Sequence, residues 1–201
     1  IKKMTTVSIL TPTYERIAFL PFLTIMIENQ DVDLTQVEWI VIDDSKESSF
    51  AFFQKSALHN KLKSLSYVHL PQKRSVGCKR NLAKTIAKGK YLIHMDDDDY
   101  YAPNYVSTVL SMFESEHKPQ LIGATKVYLM YPQSLYLHQI GPVHQRHTCG
   151  GAMSYTYEYA QKHHYKNDAT KAEEAYFVNN NPVMQINSIY NINMVFVHDH
   201  N

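Results

Sequence analysis

The sequence contains no apolar run of about 20 residues, only two cysteines and almost no net charge. A transmembrane helix requires a run of that length, so no transmembrane segment is expected, and the opening residues lack the apolar core of a secretory signal. Cys78 and Cys149 do not have the spacing of metal ligands, and so few cysteines suggest a reducing compartment. We therefore expect a soluble, cytoplasmic protein.

Neither sign of charge is in excess. The chain carries 20 lysines and arginines against 19 aspartates and glutamates, which gives a net charge of +1. No overall field therefore favours nucleic acid as a partner, and any basic site must be local. The 201 residues, 44% of them hydrophobic, are enough for one domain with a sizeable core.

The chain does have a concentrated block of negative charge. Four consecutive aspartates, Asp96 to Asp99, directly follow the apolar run 91–95, which is typical of a buried strand. Carboxylates this close repel one another, so at least one pKa should rise unless a metal ion or basic side chains neutralise the group. Mg²⁺ and Mn²⁺ take oxygen ligands and usually bind together with the phosphates of a substrate. The block therefore predicts a metal-dependent enzyme that uses a phosphorylated donor.

Two simpler interpretations of the acidic block are weaker. Helix N-capping would use one or two of the aspartates, but it does not account for all four beside a buried strand. A calcium-binding loop needs glycine at its sixth position and an acidic residue at its twelfth. Counted from Asp96, these positions are Tyr101 and Ser107, so this alternative fails.

Hydrophobic patterns alternate between strands and helices through the first half of the chain. This alternation predicts an α/β fold in which helices cover both faces of a mostly parallel sheet. Further along, a helix near 105–116 and a strand near 121–130 are expected to begin a smaller lobe, continuous with the first half. The predicted strands of the first half are 7–10, 37–42, 65–70 and 91–95, and its predicted helices are 17–28, 49–62 and 79–87, the last capped by Gly89.

Polar residues follow three of the predicted strands, at Thr11 to Tyr14, at Asp43 and Asp44, and at Asp96 to Asp99. In sheets of this kind, ligands bind beyond the carboxyl ends of the strands. We therefore expect these groups to converge on one rim. The sequence has no Gly-x-x-x-x-Gly-Lys-Ser/Thr loop, so a metal and isolated basic side chains would have to hold the phosphates.

Four short motifs occur in a defined order along the first 105 residues. They are Ser8 to Arg16, Val41 to Ser45, Lys79 to Ala83 with Gly89 to Tyr91, and Asp96 to Asp99. Each alone is a weak signal, but together their order and spacing resemble those of family-2-type glycosyltransferases with the GT-A fold. The compact size is also similar to that of glycosyltransferase domains encoded by large algal viruses.

The resemblance implies a division of labour within a single GT-A domain covering residues 1–201. Residues 1–105 would bind a nucleotide-sugar, and residues 106–201 would bind the acceptor and carry the catalytic base. Because the sequence stops directly after the strand-like run 194–197, we also expect it to be part of a longer polypeptide with further domains.

The motifs imply roles for individual residues at the nucleotide. Asp44 would accept a hydrogen bond from the uracil N3–H of a UDP-sugar, and Arg80 would lie near the nucleotide. The simpler alternatives remain open: Pro12 as a turn, Asp44 as a helix cap and Arg80 as a brace for the sheet. The residues assigned to the nucleotide are Thr11, Pro12, Thr13, Tyr14, Arg16, Asp44, Arg80, Asp96 and Asp97.

The acidic block matches the Asp-x-Asp motif of these enzymes. The resemblance implies that Asp96 lies near the ribose and the metal, and that Asp98 binds the Mn²⁺ or Mg²⁺ that bridges the diphosphate. His198 follows a strand-like run and is similar to a late histidine that binds metal or diphosphate in several GT-A enzymes. A structural or solvent-exposed histidine is the alternative.

Glu173 and Glu174 resemble the Glu-Asp base motif at the start of a helix, with glutamate in place of aspartate at the second position. Transfer with inversion needs a carboxylate that removes a proton from the acceptor hydroxyl. We expect Glu174 to be this base, with Glu173 as the second candidate. A solvated acidic pair is the alternative, and a retaining enzyme would need neither as a base. Gly150 and Gly151 resemble the family's small-residue turn near the sugar.

The sequence thus predicts a metal-dependent glycosyltransferase that moves a sugar from a UDP-sugar to an acceptor hydroxyl, on a glycan. One alternative is a sugar-1-phosphate nucleotidyltransferase, which normally has a glycine-rich, basic N-terminal loop that the segment Thr11 to Tyr14 does not match. The other is a nucleotide-sugar or glycan-binding module without catalytic activity.

Overall fold

Two β-sheets and six α-helices make up the computed structural model, which describes residues 7–169, 172–189 and 192–198. None of the helices in these ranges has the length and apolar character needed to cross a membrane. In chain order the elements are β1 (Val7–Thr13), α1 (Leu20–Glu28), β2 (Val37–Asp43), α2 (Phe50–Gln54), β3 (Ser64–His69), α3 (Val76–Ile86), β4 (Tyr91–His94), β5 (Asp99–Tyr101), α4 (Tyr105–Phe113), β6 (Leu121–Gly123), β7 (Val127–Tyr131), β8 (Tyr136–Ile140), β9 (Ser154–Thr156), α5 (Tyr157–Lys162), α6 (Glu173–Val178), β10 (Met184–Gln185) and β11 (Asn193–Phe196).

The larger sheet has the strand order β10-β6-β9-β4-β1-β2-β3. Within it, β9 runs antiparallel to both of its neighbours, and the other strand pairs are parallel. This confirms the predicted α/β fold with a mostly parallel sheet. Because β9 lies between β4 and β6, the second half of the chain completes the sheet that the first half begins.

The central strands are buried along their whole length. All seven residues of β1 and all seven of β2 are buried, as expected for parallel strands covered on both faces. Successive side chains point to opposite faces of a strand. Ile9 and Trp39 accordingly belong to one core cluster, and Leu10 and Ile40 to another. Burying a side chain of this size contributes roughly 1.5–3 kcal/mol.

Strand β1 continues three residues beyond its predicted end, to Thr13. The sequence predicts that Pro12 halts the strand and makes a turn, and proline has no N–H to donate to a ladder. The ladder between β1 and β4 ends at Leu10, whose carbonyl accepts from Met95 N, while Pro12 pairs in register with Ile42 of β2. Pro12 lies two residues after Leu10, so its nitrogen faces the β4 side of the strand. At that point β4 no longer pairs with β1. The absence of an N–H at Pro12 therefore removes no hydrogen bond between β1 and β4.

Several predicted boundaries were wrong for local reasons. The predicted helix 49–62 is the short α2 followed by a 3₁₀ turn at Ala57–Asn60, because Ser56 caps that turn by accepting from Leu58 N. The helix predicted at 79–87 begins earlier, at Val76, where Ser75 Oγ accepts from Cys78 N at 3.0 Å. The helix predicted at 17–28 begins only at Leu20.

The strand predicted at 121–130 is two strands in different sheets. Between β6 and β7 the backbone of Ala124 is held by the segment that precedes β9. Its N–H donates to Thr148 Oγ1 at 3.0 Å, and its carbonyl accepts from Cys149 N at 2.9 Å. The chain then leaves the larger sheet. Strands β5, β8 and β9 were not predicted, because β5 and β9 have three residues each and β8 is exposed throughout.

The smaller sheet has the order β5-β11-β7-β8. Strand β11 runs antiparallel to β5, with Val195 opposite Asp99, and parallel to β7. This pairing places the residues after β11 beside the acidic block. His198 therefore reaches Asp98, although the two are 100 positions apart in the chain.

Gly89 does not cap α3 as predicted but lies against the start of β1. Its N–H donates to Ser8 Oγ at 2.8 Å and to Glu38 Oε1 at 3.2 Å, inside the core. A Cβ atom at this position would lie 2.6 Å from both Ser8 N and Ser8 Oγ. Glycine is therefore required here for close approach of two backbones.

We predict that Gly89→Ala lowers the free energy of unfolding by roughly 1–3 kcal/mol, the usual cost of overpacking a core. Urea denaturation followed by circular dichroism measures this change. Lys88→Ala is the matched control, because it alters the exposed neighbour without adding an atom to the core. Equal stability of Gly89→Ala and the wild type would contradict the packing argument.

Candidate active site

A cleft of about 540 Å³ opens at the carboxyl ends of β1 and β4. It is lined by ten of the thirteen residues predicted from the sequence, all except Thr11, Asp44 and His198. The polar groups at these strand ends therefore do converge on one rim. The lining residues among the thirteen are Pro12, Thr13, Tyr14, Arg16, Arg80, Asp96, Asp97, Asp98, Glu173 and Glu174.

Arg80 joins three parts of the cleft wall. It belongs to α3 and is only 3% exposed. Its two terminal nitrogens each donate to one oxygen of Asp96 at 3.0 Å, and its Nε donates to Glu173 Oε1 at 3.4 Å. Burial alone would raise the pKa of Asp96, but the Arg80 charge lowers this pKa below its usual value. The guanidinium thus connects α3, the acidic block and α6.

Arg16 neutralises the third aspartate. Its Nη1 forms an ion pair with Asp98 Oδ2 and lies 3.9 Å from Asp97 Oδ1. His198 Nε2 lies 3.2 Å from the same Asp98 oxygen and 3.3 Å from Arg16 Nη1. A cationic group therefore already lies at the point where two carboxylates and an imidazole meet.

The other two aspartates are buried, each with 5% exposure. Burial, followed by the Asp98 charge, raises the pKa of Asp97 to about 7. Burial, followed by the Asp96 charge, raises the pKa of Asp99 well above its usual value. Asp97 Oδ2 has no hydrogen-bond partner within the described ranges. The block thus shows both effects expected from its sequence: arginines beside Asp96 and Asp98, and raised pKa values at Asp97 and Asp99.

Gly151 allows the backbone to approach the acidic block. A Cβ atom at this position would lie 2.7 Å from Asp99 Oδ2 and 3.2 Å from Asp96 Oδ2. The carbonyl of Gly151 also accepts a hydrogen bond from Tyr101 Oη at 2.9 Å. Any larger residue would displace a carboxylate, so the glycine turn helps to define this wall of the cleft.

Asp44 lies below the cleft surface and is 3% exposed. Lys79 Nζ donates to Asp44 Oδ1 at 2.6 Å and to Thr13 O at 2.8 Å. The backbone N–H of Arg74 donates to Asp44 Oδ2 at 2.5 Å. These bonds fix the ends of β1 and β2 to each other and to α3. Each carboxylate oxygen has one protein donor, and the side chain has no exposed surface, so Lys79 and Arg74 cover it from the cleft.

Thr11 and Tyr14, from the same motif, have different surroundings. Thr11 is fully buried, and its hydroxyl donates to Met95 O at 2.7 Å and accepts from Trp39 Nε1 at 3.0 Å. It braces the start of the acidic block from behind and does not line the cleft. Tyr14 does line the cleft, and Lys73 Nζ lies 3.9 Å from its ring centroid, within cation–π distance.

The two glutamates at the start of α6 are not equivalent. Glu173 is paired with Arg80, whereas Glu174 forms no salt bridge within the described ranges. Burial, with the charge of the adjacent Glu173, raises the pKa of Glu174. A carboxylate with a raised pKa is a better proton acceptor. The two glutamates therefore differ in partner and in pKa, and the assignment of Glu174 as the base stays a prediction.

A family model accounts for most of the chain. Residues 8–178 match the model described as glycosyl transferase family 2. The chain belongs to this family. The resemblance to family-2-type glycosyltransferases, found in the sequence, is thereby confirmed. A search among curated proteins finds no match.

Solved structures with a similar fold include two nucleotide-sugar complexes. One is TarS 1-349 from S. aureus in complex with UDP-GlcNAc, with a TM-score of 0.73, 19% identity, and coverage of 96% of this chain and 59% of that one. Another is the mannosyltransferase PcManGT from Pyrobaculum calidifontis with GDP-Man and Mn²⁺, with a TM-score of 0.72, 13% identity, and coverage of 98% and 57%. At these identities the likeness shows the GT-A fold. This family 2 chain spans 37% of a longer TarS chain.

Sequence reasoning missed His94, which lies behind Arg80 in this family 2 site. Its Nδ1 lies 2.8 Å from Arg80 Nη1 and 2.7 Å from Gly150 O, and its Nε2 lies 3.2 Å from Tyr155 Oη. Burial, followed by the Arg80 charge, lowers its pKa to about 3, so the imidazole is neutral at pH 7. The available signal was a histidine inside the apolar run that precedes the aspartates.

The side chains fit a divalent cation that arrives with a diphosphate. Within the described ranges, no group of three His, Cys, Asp or Glu residues is arranged to hold a metal by itself. Mg²⁺ and Mn²⁺ need only one or two protein carboxylates when phosphate oxygens and water complete the coordination. Asp98 with His198, and the unpartnered oxygen of Asp97, supply such a set. The Arg16 guanidinium stands in for the cation at this point.

We predict that Asp97→Asn stabilises the metal-free protein, and does so more at pH 8 than at pH 5. The folded-state pKa of Asp97 is about 7, above the ordinary value of 3.8. The folded state therefore retains a proton that the unfolded state releases, and stability falls as pH rises between these values. An asparagine at position 97 does not titrate, so the fall in stability with rising pH disappears.

Differential scanning calorimetry with EDTA at the two pH values measures the effect of Asp97→Asn. We expect a gain of several degrees in Tm at pH 8, since 1 kcal/mol corresponds to roughly 2–4 °C for a domain of this size. The gain at pH 5 should be smaller. The same Tm difference at both pH values would show that Asp97 does not titrate in this range.

Proposed function

We propose that this chain is a metal-dependent glycosyltransferase that moves a sugar from a UDP-sugar to an acceptor hydroxyl on a glycan. One observation carries the proposal: the acidic block and the half-buried Glu174 line the same cleft. A site for a diphosphate with its cation and a site for a general base are thus adjacent. Family 2 membership and the GT-A fold support the same reaction class.

The donor is proposed to bind across the ends of β1 and β2. Pro12, Thr13 and Tyr14 line the part of the cleft where a uridine would lie. Asp44 lies behind them and would accept from uracil N3–H after the backbone of Arg74, which now covers it, moves aside. Lys73 and Arg74 also line the cleft and would offset the charge of the diphosphate. Similar structures contain UDP-GlcNAc or GDP-Man, so UDP-sugars and GDP-sugars both belong in a test of the donor.

Asp98 and His198 would hold Mn²⁺ or Mg²⁺, with Asp97 at the edge of the site. A divalent cation bound there would neutralise the charge that develops on the leaving diphosphate, without a proton transfer. Arg16 would turn from Asp98 toward the diphosphate oxygens when the cation binds. Asp96 stays paired with Arg80, and its oxygens retain lone pairs that could accept from a ribose hydroxyl.

Glu174 is proposed to remove the proton of the attacking acceptor hydroxyl. Burial raises its pKa, which makes it a stronger base than an exposed carboxylate. Glu173 is held by Arg80 and would keep α6 in position. The hydroxyl oxygen would form the new bond to the anomeric carbon as UDP leaves.

A panel of nucleotide-sugars tests the proposed function directly. Thermal shift with UDP-sugars and GDP-sugars, each with Mn²⁺ or with EDTA, identifies the donor because a ligand of the folded state raises Tm. UDP release then distinguishes a transferase from a binding module, which would bind without turnover. Pyrophosphate release from UTP with a sugar phosphate would instead favour the nucleotidyltransferase.

We predict that Asp98→Asn removes the part of UDP affinity that depends on Mn²⁺. Isothermal titration of UDP with Mn²⁺ and with EDTA should give a difference of roughly tenfold or more for the wild type and little difference for the variant. Glu28→Gln, at an exposed ion pair with Lys61, is the control. Mn²⁺ that still strengthens UDP binding to Asp98→Asn would exclude Asp98 as a metal ligand.

We predict that Glu174→Gln lowers kcat for sugar transfer by roughly 10²- to 10⁴-fold, the usual contribution of a general base. UDP affinity should stay near that of the wild type. Glu173→Gln is the matched comparison and should have the smaller effect, because this carboxylate is paired with Arg80. A larger loss in Glu173→Gln than in Glu174→Gln would reverse the assignment.

A further inference from the structure

A second cavity, of about 150 Å³, lies next to the cleft and shares Glu174 with it as a lining residue. In the proposed reaction, the base must contact the acceptor hydroxyl while that hydroxyl faces the donor. A carboxylate that lines two adjacent spaces meets this requirement, with the donor in the larger space and the acceptor in the smaller one. The smaller cavity is also walled by Ala175 and Val178 of α6.

The segment 143–148 forms another wall of this cavity and is fixed by distant side chains. Thr125 Oγ1 accepts from the backbone N–H of His144 at 3.2 Å. Gln185 Nε2 donates to the backbone carbonyl of His147 at 3.0 Å. The segment is therefore held before any ligand binds, which lowers the entropic cost of recognition.

One permanent positive charge faces the cavity from a different wall than Glu174's helix. Arg146, His144 and His147 line it, and Glu174 is the one carboxylate among its lining residues. Burial, followed by the neighbouring His144, lowers the pKa of His147, so His147 is neutral at pH 7. The permanent positive charge is that of Arg146, which is exposed. Arg146 takes part in none of the salt bridges within the described ranges. A guanidinium binds phosphate and carboxylate through paired hydrogen bonds.

We propose that this cavity is the acceptor subsite and that it selects acceptors with an anionic substituent, a phosphate or a carboxylate, which pairs with Arg146. The proposal rests on the function proposed above and adds the chemical class of the acceptor. The acceptor hydroxyl faces Glu174, while the anionic group faces the segment 143–148.

Matched acceptors test this selectivity. Glucose 6-phosphate, glucuronic acid and glucose are compared as acceptors with the donor found in the nucleotide-sugar panel, and UDP release is measured. We expect kcat/KM to be roughly tenfold or more higher for one of the two acidic sugars than for glucose. The preferred acidic sugar shows whether the anion is a phosphate or a carboxylate.

In Arg146→Gln, the ratio of kcat/KM for the preferred acidic sugar to kcat/KM for glucose should fall to nearly one. Slow hydrolysis of the donor without acceptor should not change, because Arg146 does not line the donor cleft. Lys55→Gln, at an exposed lysine elsewhere on the surface, is the control. Glucose used as well as both acidic sugars, or an unchanged preference in Arg146→Gln, would overturn the proposal.

A binding measurement separates this proposal from the proposed function. Inorganic phosphate is titrated into the protein with saturating UDP and Mg²⁺, so that the donor cleft is occupied, and binding is followed by calorimetry. Loss of phosphate binding in Arg146→Gln supports the anionic subsite even if no donor is turned over. Absence of phosphate binding to the wild type, or equal binding to Arg146→Gln, counts against it.

Discussion

The ion pair between Arg80 and Asp96 is the interaction on which the arrangement of the cleft depends. Arg80 is nearly inaccessible to water, and a buried cation without partners would cost several kcal/mol. Asp96 and Glu173 compensate that charge from two sides, and neutral His94 packs behind it. Because these partners come from β4, its following loop and α6, one guanidinium sets the distance between the acidic block and the glutamates.

The repulsion within the acidic block is reduced in two different ways by alternate aspartates. Asp96 and Asp98 have arginine partners, whereas Asp97 and Asp99 are buried and have raised pKa values. The block therefore still has more carboxylates than cations. A further positive charge close to the block would therefore be stabilised.

The first half of the chain was largely predictable, and the second was not. Strands such as 37–42 and 91–95 have continuous apolar runs, and their polar ends follow a general rule for parallel sheets. Most of the predicted site residues of the first half directly follow a predicted strand, so their convergence on one edge of the sheet could be predicted. The contact of His94 with Arg80 and the pairing of Arg16 with Asp98 could not be predicted, because they join residues that are distant in sequence. Strands of three residues, such as β9, carry too little periodicity to be recognised.

The glutamate pair shows why the smaller cavity beside the cleft depends on long-range contacts. Adjacent residues on a helix point about 100° apart, so if Glu173 faces Arg80, Glu174 must face elsewhere. The direction that remains is set by α6, and what lies there is the segment 143–148, held by Thr125 and Gln185 from other parts of the chain. Changes in that segment would alter the smaller cavity without touching Arg80 or the aspartates. The two cavities can therefore vary independently, with Glu174 as the residue that lines both.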